Sequence, residues 1–474
     1  MLSGEIRDVV MLSLATVGII WYLALWSIGL FGCWSARKRY RLRPRSPLAT
    51  AASAPGVSIL RPLKGLDTNL YENLESTFQQ EYPNYEIIFS VAEENDQALP
   101  IVRELMSKYP RVQTAVIIGK KTRSFAFDER GLRCCPGEEV VGVNPKVNNL
   151  IRSYRQAAHD ILWVLDSNVM VDPGTLARSV DAMDAPPPPG SPPPPRRIAV
   201  VHHVPFAFAA EAKLGSRIEE AFLNTNHAKM YIAINTVAIE SCVVGKSNLY
   251  RRSDLERVNG SLKAISPNDT LQQDDRGLAA FGRFLAEDNM IASSLWHELG
   301  LRHSLSCDVA RNVVGNMTLG DYVWRRVRWI RVRKHMVLAA TLVEPFTESV
   351  MLSAIAVSSL KYLFAIPPWI TLLLHYSVWL SVDLDVYASL AGHPLPASIR
   401  WEFLGAWAAR ELLALPIYLL AIFGDEVMWR GNRYQVLRNG EVRRAASGDT
   451  GYFRRLVPKR RSREHYEPLP HTVT

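Results

Sequence analysis

The stretch Val9 to Trp34 carries no charged side chain, and Arg37, Lys38, Arg39, Arg41, Arg43 and Arg45 follow it closely. A helix of that length, at about 1.5 Å per residue, crosses a hydrocarbon core of about 30 Å. The run exceeds the apolar core of a signal peptide, and no small-residue cleavage site follows it. Only Arg7 supplies a positive charge before it. The positive-inside rule then predicts an N-terminus outside and a following domain in the cytosol. A buried core helix is the competing account, and the one-sided flanking charge argues against it.

The last third is apolar again. Ser349 to Leu360 and Tyr362 to Val382 are separated by Lys361 and interrupted by Pro367-Pro368. They read either as one kinked segment or as two spans in a hairpin. Trp401 to Phe423 is a further candidate, although Arg410-Glu411 interrupts it. Such a pair is costly in lipid unless it lies at the interface or faces other protein. Three or four spans are expected in all, and the basic stretch Arg430 to Arg463 favours a cytosolic C-terminus.

With 474 residues, the chain has room for one catalytic domain of about 250–300 residues besides these segments. The formal charge of +9 would suit nucleic acid. The basic residues, however, sit beside apolar runs, which points to an anionic membrane surface, and no DNA- or RNA-binding module is present. Five cysteines lack zinc-ligand spacing and are odd in number, so reduced thiols are expected.

Between the apolar ends, strands and helices alternate. Val57 to Leu60, Glu86 to Val91, Val112 to Ile118, Ile161 to Leu165 and Ile198 to Val204 read as strands. Asn69 to Gln80 and Leu99 to Tyr109 read as helices. This order predicts βαβ units, a mainly parallel sheet, and functional residues just after the strands. Lys120 to Glu139, Pro186 to Pro195 and Ser261 to Asp275 look inserted; the second is nearly pure proline and reads as a stiff surface spacer. The expected organisation is an anchor at 9–34, a basic linker at 35–55 and a catalytic domain at 56–316 with insertions 120–139, 186–195 and 261–275. An interfacial region at 317–345, membrane segments at 349–424 and a basic tail at 425–474 complete it.

Asp166 directly follows the strand Ile161 to Leu165. A carboxylate there suits a divalent cation gripping a diphosphate, or equally a helix cap. Asp96, among Glu93, Glu94 and Asn95, follows another strand and suits a nucleoside or metal site, or a solvated loop. Glu287-Asp288 precedes an apolar helix and can be read as N-capping. Arg325 and Arg328 share a helical face, with Trp329 adjacent. They suit either lipid headgroups or a bidentate grip on a diphosphate. Met230 to Gly245 is too short to span and reads as an interfacial segment near a lipid entrance, or as ordinary core.

In this order the elements resemble the D, D, D, (Q/R)xxRW pattern of inverting glycosyltransferases with the GT-A fold. More closely, they resemble the ceramide glucosyltransferases, glycosyltransferase family 21, in a fungal-type form with insertions. The stretches carrying the resemblance are Arg61 to Asp67, Gly142 to Leu150, Trp163 to Ser167, Glu344-Pro345 and Trp429 to Tyr434. The resemblance implies an α/β GT-A (nucleotide-diphospho-sugar transferase) domain with N-terminal and C-terminal transmembrane helices. It implies an inverting hexosyltransferase moving glucose from UDP-glucose to ceramide, with Mg²⁺ or Mn²⁺ as cofactor, in a Golgi or ER membrane. Asp288 is then the base, and Asp96, Lys146, Asp166, Arg325, Arg328 and Trp329 bind the donor. Asp166 also holds the metal, and His227 and Cys242 lie near the acceptor. Glu93 and Asn95 stand where aspartates are common in the family, and Asn168 where glycine is. The alternatives are transfer to a hopanoid or polyprenyl phosphate, a processive polysaccharide synthase, or a catalytically decayed membrane scaffold.

Overall fold

The charge-free N-terminal stretch forms the helix α1 (Leu2–Tyr40). Val9, Leu14, Val17 and Ile20 are exposed along it, as side chains facing lipid would be. The computed structural model describes residues 2–119, 132–134, 139–185, 196–209, 211, 213–263, 276–429 and 432–445. The proline-rich insertion 186–195 lies outside them, as do most of the other two insertions and the tail beyond 445.

Nine strands form one sheet: β1 (Val57–Leu63), β2 (Tyr85–Val91), β3 (Gln113–Ile118), β4 (Leu132–Cys134), β5 (Ile161–Leu165), β6 (Val169–Met170), β7 (Ile198–Ala209), β8 (Ser247–Arg251) and β9 (Arg302–Val314). Their order is β4-β3-β2-β1-β5-β8-β7-β9-β6. The first four pairings, from β4 through to β5, are parallel, as the alternating sequence predicts. Helices α2 (Leu70–Phe78), α3 (Leu99–Lys108), α4 (Pro145–Gln156) and α5 (Thr175–Asp184) cover the sheet on both faces. Both faces of β5 are therefore buried, and all five of its side chains are apolar.

The sheet is more mixed than expected. β8 runs antiparallel between β5 and β7. Its register sets Leu165 opposite Ser247, so the segment entering β8 lies where β5 ends. A reversed strand delivers functional residues from its start, and the rule of looking only after strands misses them.

A long helical stretch runs through α6 (Leu214–Phe222), a π turn (Leu223–His227) and α7 (Ala228–Val237). Short helices α8 (Arg252–Leu255) and α9 (Gly277–Ala280) precede α10 (Glu287–His297). Then come α11 (Leu319–Lys334), opened by a Thr318–Asp321 capping box, and α12 (Leu338–Val343). The apolar third forms α13 (Ser349–Phe364), α14 (Pro368–Ala391) and α15 (Arg400–Ile422). A three-stranded antiparallel sheet, β10 (Glu426–Trp429), β11 (Asn432–Val436) and β12 (Val442–Arg444), packs on α11 through Val332.

Among the described residues, two helical stretches are long and apolar enough to cross a membrane, Glu5–Tyr40 and Ala397–Ile422. Leu338–Thr347 and Ser349–Phe364 would make a third only as one span bent by 63°. The segment 349–382 is thus two helices and not one kinked helix. α13 stops at Ala365 with φ +56°, before a proline pair that cannot continue it. The Arg410–Glu411 pair faces protein: Arg410 bonds Glu348 and Glu411, each at 2.6 Å.

The basic run that ends α1 and continues past it also makes contacts within the protein. Arg37 and Arg41 pair with Asp385 of α14, Arg43 pairs with Asp172, and Arg39 donates to the Leu305 carbonyl. These contacts tie the end of α1 and the segment after it to the catalytic domain and the helix bundle.

Candidate active site

The Asn144-Pro145-Lys146 stretch builds one wall. Asn144 caps α4, accepting from the backbone N–H of Lys146 at 2.8 Å, and Pro145 occupies the first turn, where no N–H is needed. The Asn144 amide donates to the Phe284 carbonyl and to Glu287 Oε2, both at 2.7 Å. Asn149 donates to the carbonyls of Leu63 and Ser90, tying α4 to the ends of β1 and β2. The cap therefore fixes where Lys146 points.

Lys146 Nζ lies 3.0 Å from Asp166 Oδ1, 2.8 Å from Glu287 Oε1 and 2.8 Å from Asp288 Oδ2. An ammonium has three N–H groups, and three carboxylates take them. Sequence reading assigned Lys146 to the nucleotide; the structure shows it bracing the acidic side chains. Lys246, entering β8, pairs with Asp166 Oδ2 at 3.1 Å and bonds Asn168 Oδ1 at 3.1 Å. Burial alone would raise the Asp166 carboxyl, but the two ammonium groups more than offset it and hold it well below the usual range. Glu287 shifts the other way: burial pushes its carboxyl up, against the pull of Lys146 and with the Asp288 charge adding to the rise.

Neither aspartate is a helix cap. Asp166 leads through a turn into β6, held there by buried Arg61, which donates to the carbonyls of Asp166 and Val169. Burial pulls the Arg61 guanidinium down to about 9. Asp288 sits in the first turn of α10, whose N-cap is Ala286. There the partial positive charge of the helix terminus favours both Glu287 and Asp288. Asn248 of β8 donates to Asp288 Oδ1 at 3.3 Å. On the other side Gly245 abuts it, since a Cβ there would stand 1.9 Å from Asp288 Oδ2.

These groups open into a cavity of 770 Å³, which Asp67, Lys146, Asp166, Glu287 and Asp288 line on the sheet side. From α11 come Arg325, Arg326, Arg328 and Trp329, with Arg333 one turn further on. Arg325 is held by Glu219 at 2.8 Å, and its guanidinium lies 5.2 Å from the Trp329 ring. An apolar side is made by Met230, Tyr231 and Ile234 of α7 and by Ala340 and Val343 of α12. His227 and Cys242 line the cavity as well. Burial, with Arg326, Arg333 and Arg410 nearby, pulls the His227 imidazole down to about 3, and burial pushes the Cys242 thiol up to about 11. Both are uncharged at neutral pH.

The first aspartate behaves differently. Asp96 does not line the cavity. Its two carboxylate oxygens accept from Gly65 N at 3.0 and 3.1 Å, and Oδ1 accepts from Ala98 N at 2.9 Å. It holds the Leu63–Gly65 turn, with φ +67° at Gly65, and so shapes the rim.

Sequence reasoning missed Lys246, Arg326, Arg333 and Asp67 as cavity residues, and gave Trp429 no role. Trp429 closes the cavity from the small C-terminal sheet. Lys246 carried one signal, its position just before a strand; Asp67 and Trp429 lay in stretches that carry the family resemblance, Arg326 lay between Arg325 and Arg328, and Arg333 carried none.

Among the described residues, no group of three or more metal-ligating side chains is arranged to hold an ion alone. The oxygen donor of Asp166 nonetheless has the chemistry a hard divalent cation takes, and such ions commonly fill their remaining positions with phosphate and water.

A family model described as glycosyl transferase family 21 matches residues 19–126 and 125–442. The chain is 34% identical to the ceramide glucosyltransferase of Komagataella phaffii, over 89% of this chain and 90% of that one. It is 32% identical to the Pyricularia oryzae ceramide glucosyltransferase over 89% and 93% of the two chains. Ceramide glucosyltransferase 3 of Caenorhabditis elegans is 27% identical over 90% and 82%. Among solved structures, the mannosyltransferase PcManGT from Pyrobaculum calidifontis, in complex with GDP-Man and Mn²⁺, matches at 18% identity and a TM-score of 0.42. That match covers 86% of this chain and 97% of the other.

Proposed function

The chain belongs to glycosyltransferase family 21, and on that footing we propose that it transfers glucose from UDP-glucose to the primary hydroxyl of ceramide, with inversion, giving β-glucosylceramide. The observation that carries this reading is the two-sided cavity: carboxylates and guanidinium groups on one side, apolar side chains of α7 and α12 on the other. A charged donor and a lipid acceptor need such a combination.

Asp288 acts as general base and takes the proton from the acceptor hydroxyl as that oxygen attacks the anomeric carbon. The diphosphate leaves from the opposite face, which inverts the configuration. Lys146 and Asn248 fix the position of the Asp288 carboxylate. Arg325 and Arg328 face the leaving diphosphate and stabilise the charge developing there. Trp329 offers an indole face to the sugar. Asp96 acts on the donor through the Gly65 turn. Asp166 would hold Mg²⁺ or Mn²⁺, which supplies charge neutralisation of the diphosphate when bound.

Incubation of the purified protein with UDP-glucose and a lipid panel containing ceramide, a hopanoid and polyprenyl phosphate, read by mass spectrometry, tests the reaction. Hexosylceramide alone is expected. A hexosylated hopanoid or polyprenyl phosphate without hexosylceramide overturns the acceptor, and a polymer overturns the reaction type.

We place the protein in a Golgi or ER membrane with residues 56–316 in the cytosol. The asymmetry of charge around α1 supports this orientation. Protease added to sealed microsomes should digest the domain, and complete protection would reverse the orientation.

A further inference from the structure

The four residues that enter β8 each meet a different part of the cavity. The Val243 carbonyl accepts from Asn289 Nδ2 of α10 at 3.3 Å. The Val244 N–H donates to the Tyr231 hydroxyl of α7 at 3.1 Å. Gly245 abuts Asp288. The Lys246 carbonyl accepts from the Asp166 N–H at 3.1 Å. All four residues line the cavity, as does Tyr231. Lys246 is fixed by the β5–β8 ladder, which runs on from it with Ser247 opposite Leu165. Val243 to Gly245 precede that ladder, and the bonds with Asn289 and Tyr231 hold them instead. Because Gly245 stands against the Asp288 carboxylate with no space for a Cβ, a shift of this segment is passed to that carboxylate.

The Tyr231 hydroxyl is itself held in place. It lies 2.5 Å from Nδ1 of the wholly buried His202 on β7. Burial, with His303, His203 and Arg39 nearby, keeps the His202 imidazole neutral by pulling it well below its usual range. A neutral imidazole offers one acceptor nitrogen. When Nδ1 takes the phenol proton, the phenol oxygen is free to accept from Val244. His202 gains little on its own account, since Nε2 is buried with no hydrogen-bond partner among the described residues. An apolar side chain there would avoid that cost. Resting on the assignment of Asp288 as base, we propose that Tyr231, oriented by His202, is a positioning residue. Its hydroxyl sets where Val243 to Gly245 lie, and through Gly245 it sets the Asp288 carboxylate against the acceptor hydroxyl. The helix that supplies the apolar wall of the cavity thereby also places the base.

Tyr231→Phe removes one oxygen and keeps the ring. Purified full-length protein is assayed with UDP-glucose and ceramide, and kcat is expressed per donor-binding site, counted by titration with UDP. The variant should lose roughly 10–10²-fold in kcat, the scale of loss that a misplacement of about 1 Å produces. Both KM values should stay within a few-fold, since Asp166 remains on the ladder. His202→Leu should lose kcat in the same way and add little to Tyr231→Phe in the double variant, because the two act as one unit. In an Asp288→Asn background, Tyr231→Phe should cost no more than a few-fold, because the group it positions is gone. A Tyr231→Phe kcat per site equal to wild type, even with a lower temperature of half-inactivation, overturns the proposal and leaves the hydroxyl a structural role. A loss confined to acceptor KM overturns it, and so does a loss undiminished in the Asp288→Asn background, with the base assignment intact. If Tyr231→Phe binds no UDP, His202→Leu, which keeps the phenol, carries the same comparisons. Near wild-type turnover by Asp288→Asn alone removes the base assignment, and this proposal with it.

Discussion

Replacing Asp288 with Asn is expected to lower turnover by about 10²–10⁴-fold, the usual contribution of a general base, with donor KM changed by no more than a few-fold. The side chain packs against Gly245 and is held by Lys146 and Asn248, so an isosteric amide fits. The amide cannot take a proton, and it removes one negative charge from beside the Lys146 ammonium. A capping role would leave the Asn variant active, but the N-cap of α10 is Ala286. Asp166→Asn should behave differently. It weakens metal-dependent donor binding, seen as a higher donor KM that added Mn²⁺ partly restores. Turnover by Asp288→Asn close to wild type would move the base elsewhere, with Glu287 the next residue to test.

Lys229→Met is expected to destabilise the protein by about 3–5 kcal/mol, the cost of removing one partner from a buried ion pair. Lys229 of α7 and Asp383 of α14 meet at 2.7 Å with both side chains wholly buried. Trp407 of α15 donates to Asp383 Oδ2 at 2.9 Å, and the Trp379 ring lies 3.7 Å from Lys229 Nζ. From the other side α1 presses in at Gly32, where a Cβ would come within 2.3 Å of the Lys229 carbonyl oxygen. This one contact region holds α7, which supplies the apolar wall of the cavity, against α1, α14 and α15. The double variant Lys229→Met with Asp383→Leu removes both charges and should recover much of the loss. The temperature of half-inactivation in detergent reads both effects. A single variant as heat-resistant as wild type would show that the pair contributes nothing.

Much of the frame could be read from the sequence because its causes are local. An uncharged stretch such as Val9 to Trp34 must be a helix in lipid, since every backbone group has to be satisfied within the segment. Asp166 stands out because an acidic residue ends an otherwise apolar buried strand. Arg325 and Arg328 share a face by helical period alone, and both line the cavity.

The rest was decided by contacts distant in sequence, for which no local pattern exists. Lys146 and Asp288 are brought together by packing of α4 against the start of α10, so the cavity-lining Lys146 also braces three carboxylates. Asp96 looked like a site residue by position. The backbone N–H groups of Gly65 and Ala98 reach its carboxylate and turn it to the rim. The basic run from Arg37 to Arg45 reads in sequence as a lipid-headgroup contact. Asp385, more than three hundred residues away, takes two of its arginines, because burying α14 beside α1 leaves that carboxylate in need of a cation. Residue type and spacing determined which elements form and which carry charge; the choice of partner for each charge came only with the folded chain, because many partners are chemically equivalent in sequence and packing admits one of them.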